Sequence, residues 1–148
     1  MGLFKHKFPD IDEFSEILDG LANELPEVFF EKLNGGVIVL ERAKPHPKAD
    51  DGRLYVLGEY IRSYEMGRYI AIYYGSFEKL FSGYGISKLT DEMRKTLRHE
   101  FRHHLEALSG EKDLEIEDEI KLQRYLSSSR EVFKIKERYR LPYPNEEV

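Results

Sequence analysis

The chain of 148 residues has no cysteine. That excludes disulfide scaffolds, thiol nucleophiles and thiolate metal sites, so any bound metal must be held by His, Asp or Glu. It has no basic excess either: the formal charge is −5 and the pI about 5.6. A nucleic-acid partner is therefore not expected, since polyanions are usually met by a cationic surface. No apolar run approaches a membrane span. The first residues, MGLFKHKFPD, lack the apolar stretch of a signal peptide, and His6 stands where an N-myristoylation site wants Ser or Thr. The expectation is a soluble, cytoplasmic protein with no membrane partner. Internal repeats and low-complexity segments are also lacking. Apolar residues at 41%, with ten Tyr and nine Phe, are enough for one compact core, so a single domain over residues 1–148 is expected.

Helical spacing first appears at Ile11, Phe14, Leu18, Leu21 and Leu25, with Asp10 and Glu13 arranged as a capping box and Pro26 as a stop. Val28, Phe29, Phe30 and Leu33 suggest a short helical turn, ended by Asn34-Gly35-Gly36. Val37–Leu40 reads as a strand. The polar segment 41–52 reads as a surface loop. Leu54–Ile61 and Arg68–Tyr74 read as a hairpin turning at residues 63–67, its second strand, RYIAIYY, apolar on both faces and well covered. Gly75-Ser76-Phe77 reads as the exit into a glycine-rich connection. A helix is expected from an N-cap at Thr90 to Ser109, with Gly110 as its C-terminal cap. Another helix is expected over residues 114–126. Residues 130–141 fit strand or helix equally, and the tail 142–148 is expected to be exposed. The pattern predicts an α+β domain, about three strands packed on helices.

Three of the five histidines fall within six residues, in LRHEFRHHLE. On a helix of 3.6 residues per turn, Met93, Leu97, Phe101, His104 and Leu108 share the core face, while His99, His103 and Glu106 lie nearly opposite. His99 and His103 are one turn apart, about 6 Å along the axis, so both rings can reach one ion at about 2.0–2.1 Å. Glu100, beside the first histidine, is placed to hydrogen-bond a metal-bound water. The spacing is the H-E-x-x-H pattern of zinc metalloproteases, in which zinc polarises a carbonyl and acidifies a water whose proton the Glu accepts. His104 is expected to be a hydrogen-bonded packing residue. Arg94, Arg98 and Arg102 form a stripe suited to pairing with acids of neighbouring helices.

A catalytic zinc usually keeps three protein ligands and one open position. Four acids compete for the third place. Glu106 is seven residues from His99, about 10.5 Å along the helix, and suits a supporting role better. Asp113 follows Gly110, where the chain can fold back, and ranks ahead of Glu115 and Asp118. The ligand set read from the residues is His99, His103 and Asp113, with Glu106, Glu115 and Asp118 open as alternatives for the third place and Glu100 as the base.

LNGGVIVL, LYVLGEYI, GRYIAIYYGSFE and KTLRHEFRHHLEALSGEKDLEIED resemble a family of small bacterial zincin-like metallopeptidases, over residues 10–127. The resemblance implies a minimal zincin fold: a short sheet beside an H-E-x-x-H helix. It also implies zinc, His99 and His103 as ligands, and Glu100 as catalytic base. Related minimal zincins often continue as HExxHxxGxxD with the Asp as third ligand; here Glu106 and Ser109 stand at the Gly and Asp positions. In such folds a strand edge beside the helix holds an extended peptide, a role RYIAIYY would take. Tyr73 or Tyr74 would be available as an oxyanion donor.

The function expected is zinc-dependent hydrolysis of a peptide or protein substrate. The alternative is a non-catalytic zincin-like binding module with an incomplete metal site. A metal-dependent hydrolase of another bond ranks third: the acidic pI counts against a polyanionic substrate, although the arginine stripe keeps it open.

Overall fold

The structure is a computed structural model that describes residues 7–47 and 54–111. The expected helix over 114–126, the segment 130–141 and the tail 142–148 lie outside the described residues. So do Asp113, Glu115 and Asp118.

Helix α1 spans Ile11–Ala22. Its capping box is formed in full: Glu13 N donates to Asp10 Oδ1 at 2.8 Å, and Asp10 N donates to Glu13 Oε1 at 2.9 Å. It stops at Ala22, short of Pro26, and one 3₁₀ turn follows at Glu27–Phe30. The strands are β1 (Gly36–Leu40), β2 (Lys44–Pro45), β3 (Tyr55–Val56), β4 (Gly58–Ser63) and β5 (Gly67–Tyr73). Helix α2 spans Tyr74–Phe81 and α3 spans Ile86–Glu111.

The main sheet has the order β1-β5-β4. The expected hairpin is present: β4 and β5 are antiparallel, from Gly58 opposite Ile72 to Ser63 opposite Gly67. The turn is held by Ser63 Oγ, which accepts from Glu65 N and Met66 N, and by Gly67 at φ +74°. On its other side β5 pairs with β1 in parallel, Gly36 opposite Tyr69 through Leu40 opposite Tyr73. The strand expected over 54–61 is two strands. β3 pairs with β2 inside the segment expected to be a loop, and the chain crosses into the main sheet at Leu57.

Alternation along β5 divides the core. Ile70 and Ile72 face α1, α2 and α3, joining Phe14, Phe77, Met93, Leu97 and Phe101 in the main cluster. Ala71 and Tyr73 face the other way, with Val56 and the half-buried Ile38, Leu40 and Ile61. Ile70, Ala71, Ile72 and Tyr73 are all buried, as the doubly apolar strand predicts. The result is a mixed α+β fold, with three α-helices beside a small sheet of three strands among the described residues.

Three helix boundaries differ from expectation. Gly75-Ser76-Phe77 does not leave the sheet for a loop but opens α2. Both small residues are there for close packing: a Cβ on Gly75 would stand 2.4 Å from Ala43 N, and Ser76 Oγ accepts from Lys44 N at 2.9 Å. α3 begins at Ile86, one turn before the expected cap. Thr90 lies inside it, its hydroxyl donating back to the Ile86 carbonyl at 2.8 Å, the usual way an interior Thr is satisfied. At the other end the helix continues past Ser109 through Gly110 to Glu111, so Gly110 is not its cap.

Candidate metal centre on α3

The fold places α3 against both α1 and the sheet. Gly58 and Thr96 approach so closely that a Cβ on the glycine would lie 3.0 Å from the Thr methyl. Two residues along β4, Tyr60 meets His104. His104 Nε2 lies 2.8 Å from the Glu31 carbonyl and Nδ1 lies 2.8 Å from the Tyr60 hydroxyl. A carbonyl only accepts, so Nε2 carries the proton. In the neutral ring Nδ1 then accepts, and Tyr60 is its donor. His104 is therefore the packing histidine that its position on the core face predicts, and its two bonds fix the rotation of α3 about its own axis.

That rotation determines where the other two histidines lie. The Nε2 atoms of His99 and His103 are 3.2 Å apart, with the rings at 86° to one another. Two zinc–nitrogen bonds of about 2.0–2.1 Å at a tetrahedral angle put the two nitrogens about 3.3 Å apart. The pair thus presents the donor type and separation that such an ion needs. Glu100 sits between them in sequence.

The face of the helix that carries these histidines is largely buried. His99 is 1% exposed and Glu100 0%, and Glu92, Thr96 and Arg102 are buried as well, while His103 keeps 23% of its side chain open. A helix carrying this many polar groups is expected to bury only one face. Burying the others as well is costly unless each is bonded, and such concentrations are a mark of functional sites.

Glu106 takes the supporting place its spacing suggests. Its Oε1 lies 3.8 Å from His103 Nδ1 and its Oε2 lies 3.3 Å from Arg102 Nε. It therefore lies on the Nδ1 side of the His103 ring, away from the Nε2 that meets His99. Among the described residues, no group of three His, Asp or Glu side chains is gathered closely enough to hold a metal ion. Two donors fit, and Asp113 lies outside the described residues.

Other expected roles are redirected. β5 is the central strand, paired on both sides, so RYIAIYY has no edge for a peptide; among the described residues β4 is the edge strand nearest α3. Tyr73 lies on the far face of the sheet, its hydroxyl donating to Glu59 Oε1 at 2.6 Å, and Glu59 also pairs with Lys44. Burial, then the hydrogen bond to Glu59, push the Tyr73 hydroxyl pKa far above its ordinary value. Tyr74 donates to the Pro9 carbonyl. Neither hydroxyl is directed to the His99–His103 pair.

The arginine stripe is paired. Arg94 holds Glu24 with two bonds, at 3.0 and 3.2 Å, and Asp91 at 3.0 Å; Arg98 lies 3.9 Å from Glu24. The Arg94 hydrogen bond holds the Glu24 carboxyl below its ordinary value of 4.5. A carboxyl depressed in the folded state stabilises above the unfolded value and loses that contribution as pH falls through the folded one. Both partners are partly exposed, so Glu24→Gln is expected to cost under about 1 kcal/mol at pH 7. The difference should shrink as pH falls below 4.5, read from urea midpoints of the two proteins at pH 7 and at successively lower pH.

No family model matches the chain, and no curated protein is similar to it. Among solved structures, a conserved hypothetical protein from Thermo thermophilus is similar, with a TM-score of 0.57 and 37% sequence identity. The likeness covers 68% of this chain and 97% of that one.

Proposed function

We propose that this chain, which belongs to the same family as the conserved hypothetical protein from Thermo thermophilus, is a zinc-dependent peptidase of minimal zincin type, acting in the cytoplasm; the reading is drawn from its own residues. One observation carries the reading: two imidazole Nε2 atoms converge to 3.2 Å, one helical turn apart, and the residue that follows the first of them, Glu100, is buried. His99 and His103 would hold the metal, with Asp113 as the third ligand. Zinc, when bound, supplies Lewis acidity that makes a water nucleophilic at neutral pH and polarises a carbonyl.

The chain's own residues do the rest. Glu100 offers its carboxylate to the proton of the attacking water and passes that proton to the leaving amine. Its burial keeps bulk water from competing for the carboxylate and strengthens each charge interaction there. Glu106, on the Nδ1 side of His103, favours a proton on Nδ1 and so leaves Nε2 as the donor atom. His104, through Tyr60 and Glu31, holds α3 in the rotation that keeps the pair aimed together. An extended substrate would pair with the edge of β4, which Tyr60 ties to α3.

The competing reading is a binding module without hydrolysis. It is favoured by Glu106 turning to the far side of His103 and by Ser109 standing where related zincins place an acid. Incubating zinc-loaded protein with a mixed peptide library separates the two. Cleavage abolished by a chelator and restored by zinc supports the peptidase; zinc retained with no cleavage of any peptide rejects it.

A further inference from the structure

β1 has the sequence of an interior strand but lies at an edge. Gly36-Val37-Ile38-Val39-Leu40 has no charge, no proline and no polar side chain. Among the described residues it pairs on one side only, with β5. All five of its residues are half-buried, whereas residues 70–73 of β5, covered on both sides, are buried. The other edge of the main sheet, β4, carries Glu59 and Arg62, and such charges keep an edge from pairing with another chain. β1 has no such device. We propose that β1 pairs antiparallel with β1 of a second copy of this chain, so that two three-stranded sheets become one sheet of six strands. The proposal goes beyond the peptidase reading and does not depend on it.

Hydrogen-bond phase decides which groups of β1 are available. Tyr73 N donates to the Leu57 carbonyl at 2.9 Å, so Tyr69, Ala71 and Tyr73 turn their main-chain groups towards β4. Ile70 and Ile72 then turn theirs towards β1. They lie beside Val37 and Val39, and in a parallel pair such bonds go to the residues on either side, here Gly36, Ile38 and Leu40. The N–H and C=O groups of Val37 and Val39 therefore point to the open side. Their side chains pack on the main cluster, and those of Ile38 and Leu40 on the opposite face.

The strand itself specifies a second copy as the occupant. Val37-Ile38-Val39 reads the same in both directions. A two-fold axis at Ile38 sets Val37 beside the partner's Val39 and Ile38 beside the partner's Ile38, as an isologous contact requires. Both valine pairs are then hydrogen-bonded pairs, and the isoleucines form the closer pair between them. A slip of one residue would set outward groups against inward ones and lose the bonds. Charge agrees with the direction. Lys32, before the strand, and Glu41, after it, are exposed and make no ion pair among the described residues. Antiparallel pairing brings the end of one strand to the start of the other, and so Glu41 towards the partner's Lys32. Opposed residues point to one face, so the axis runs through the sheet and both α3 helices lie on the same side of it. The two β4 edges stand at the outer ends, clear of the contact.

Sedimentation velocity of the full chain tests the contact. Between about 1 and 500 µM protein the mass is expected to rise from 17.5 kDa towards twice that value, with a dissociation constant on the order of tens of micromolar, as suits a small interface. Val39→Pro removes an N–H that points outward and none that the sheet uses, a place where an edge strand tolerates proline. It is expected to raise the dissociation constant at least about tenfold. Should that variant not fold, Ile38→Cys decides. The chain has no other thiol, and opposed residues of a non-hydrogen-bonded pair lie about 4.5 Å apart at Cα, within disulfide reach. Oxidation is expected to link Ile38→Cys protein into covalent dimers and to leave Ile61→Cys, half-buried on the same face of the sheet, unlinked. A mass that stays at 17.5 kDa throughout, a folded Val39→Pro protein that associates as the wild type does, or equal linking of the two cysteine variants overturns the proposal. So does protection of the Val37 and Val39 amides from hydrogen exchange that is the same in dilute and concentrated protein, since another segment of the chain would then cover this edge.

Discussion

Glu100→Gln is expected to lower chelator-sensitive peptide hydrolysis by about 10²–10⁴-fold while leaving the zinc content unchanged. The amide has nearly the shape of the carboxylate, so the buried site is not emptied, and Glu100 is not among the metal ligands proposed. What is lost is an acceptor for the proton of water and a donor of that proton to the leaving amine. The effect should fall on kcat more than on KM, because proton transfer belongs to the transition state and not to substrate binding. A variant as active as the wild type would remove Glu100 from the mechanism. Single-turnover kinetics at pH 7 with a library-selected peptide would read it.

His104→Ala is expected to be the most destabilising substitution on α3 outside the aliphatic core, by roughly 3–5 kcal/mol. The ring is wholly buried, so its removal leaves a cavity. The Tyr60 hydroxyl loses His104 as its acceptor and the Glu31 carbonyl loses its His104 donor. His104→Gln keeps one donor and one acceptor and should recover part of the loss. Urea denaturation would show it as a lowered midpoint with an unchanged slope. The neighbouring His103→Ala, at a partly open position, should cost far less stability while removing a metal donor. Adjacent histidines would then separate cleanly, one serving the fold and the other the site.

That separation was legible in the sequence because helical periodicity is local. One hundred degrees per residue sets His104 with Met93, Leu97 and Phe101, and turns His99 and His103 away together. The Asp10–Glu13 capping box, the turn at residues 63–67 and the doubly covered β5 were legible for the same reason: each is a short-range pattern with one physical solution. Long-range approach was not. Gly75 and Ser76 look like a turn, but they are small because the backbone of Arg42 and Ala43 crosses them, which no local pattern records. Thr90 looks like a cap, since Thr is good there, yet an interior Thr can bond the carbonyl four residues back. The parallel pairing of β1 with β5 joins segments far apart along the chain, and it moves RYIAIYY from an edge to the centre. The burial of His99 and Glu100 is likewise something that spacing does not record. A helical wheel assigns polar residues to solvent, whereas here a polar face is covered, which makes it a better site for charge chemistry than a solvated one. Spacing also explains why Glu106 supports His103 and does not join it: three residues on, it meets the ring at Nδ1.

The proposed metal centre rests on the 3.2 Å approach of two imidazole nitrogens, and metal content tests it most directly. Protein purified without added metal is assayed by plasma mass spectrometry, as wild type, His99→Ala and His103→Ala. About one zinc per chain in the wild type is predicted, with loss in either variant while the melting temperature stays close to that of the wild type. A wild type without zinc that also fails to take it up, or variants that retain it, would contradict the claim that α3 carries a metal centre.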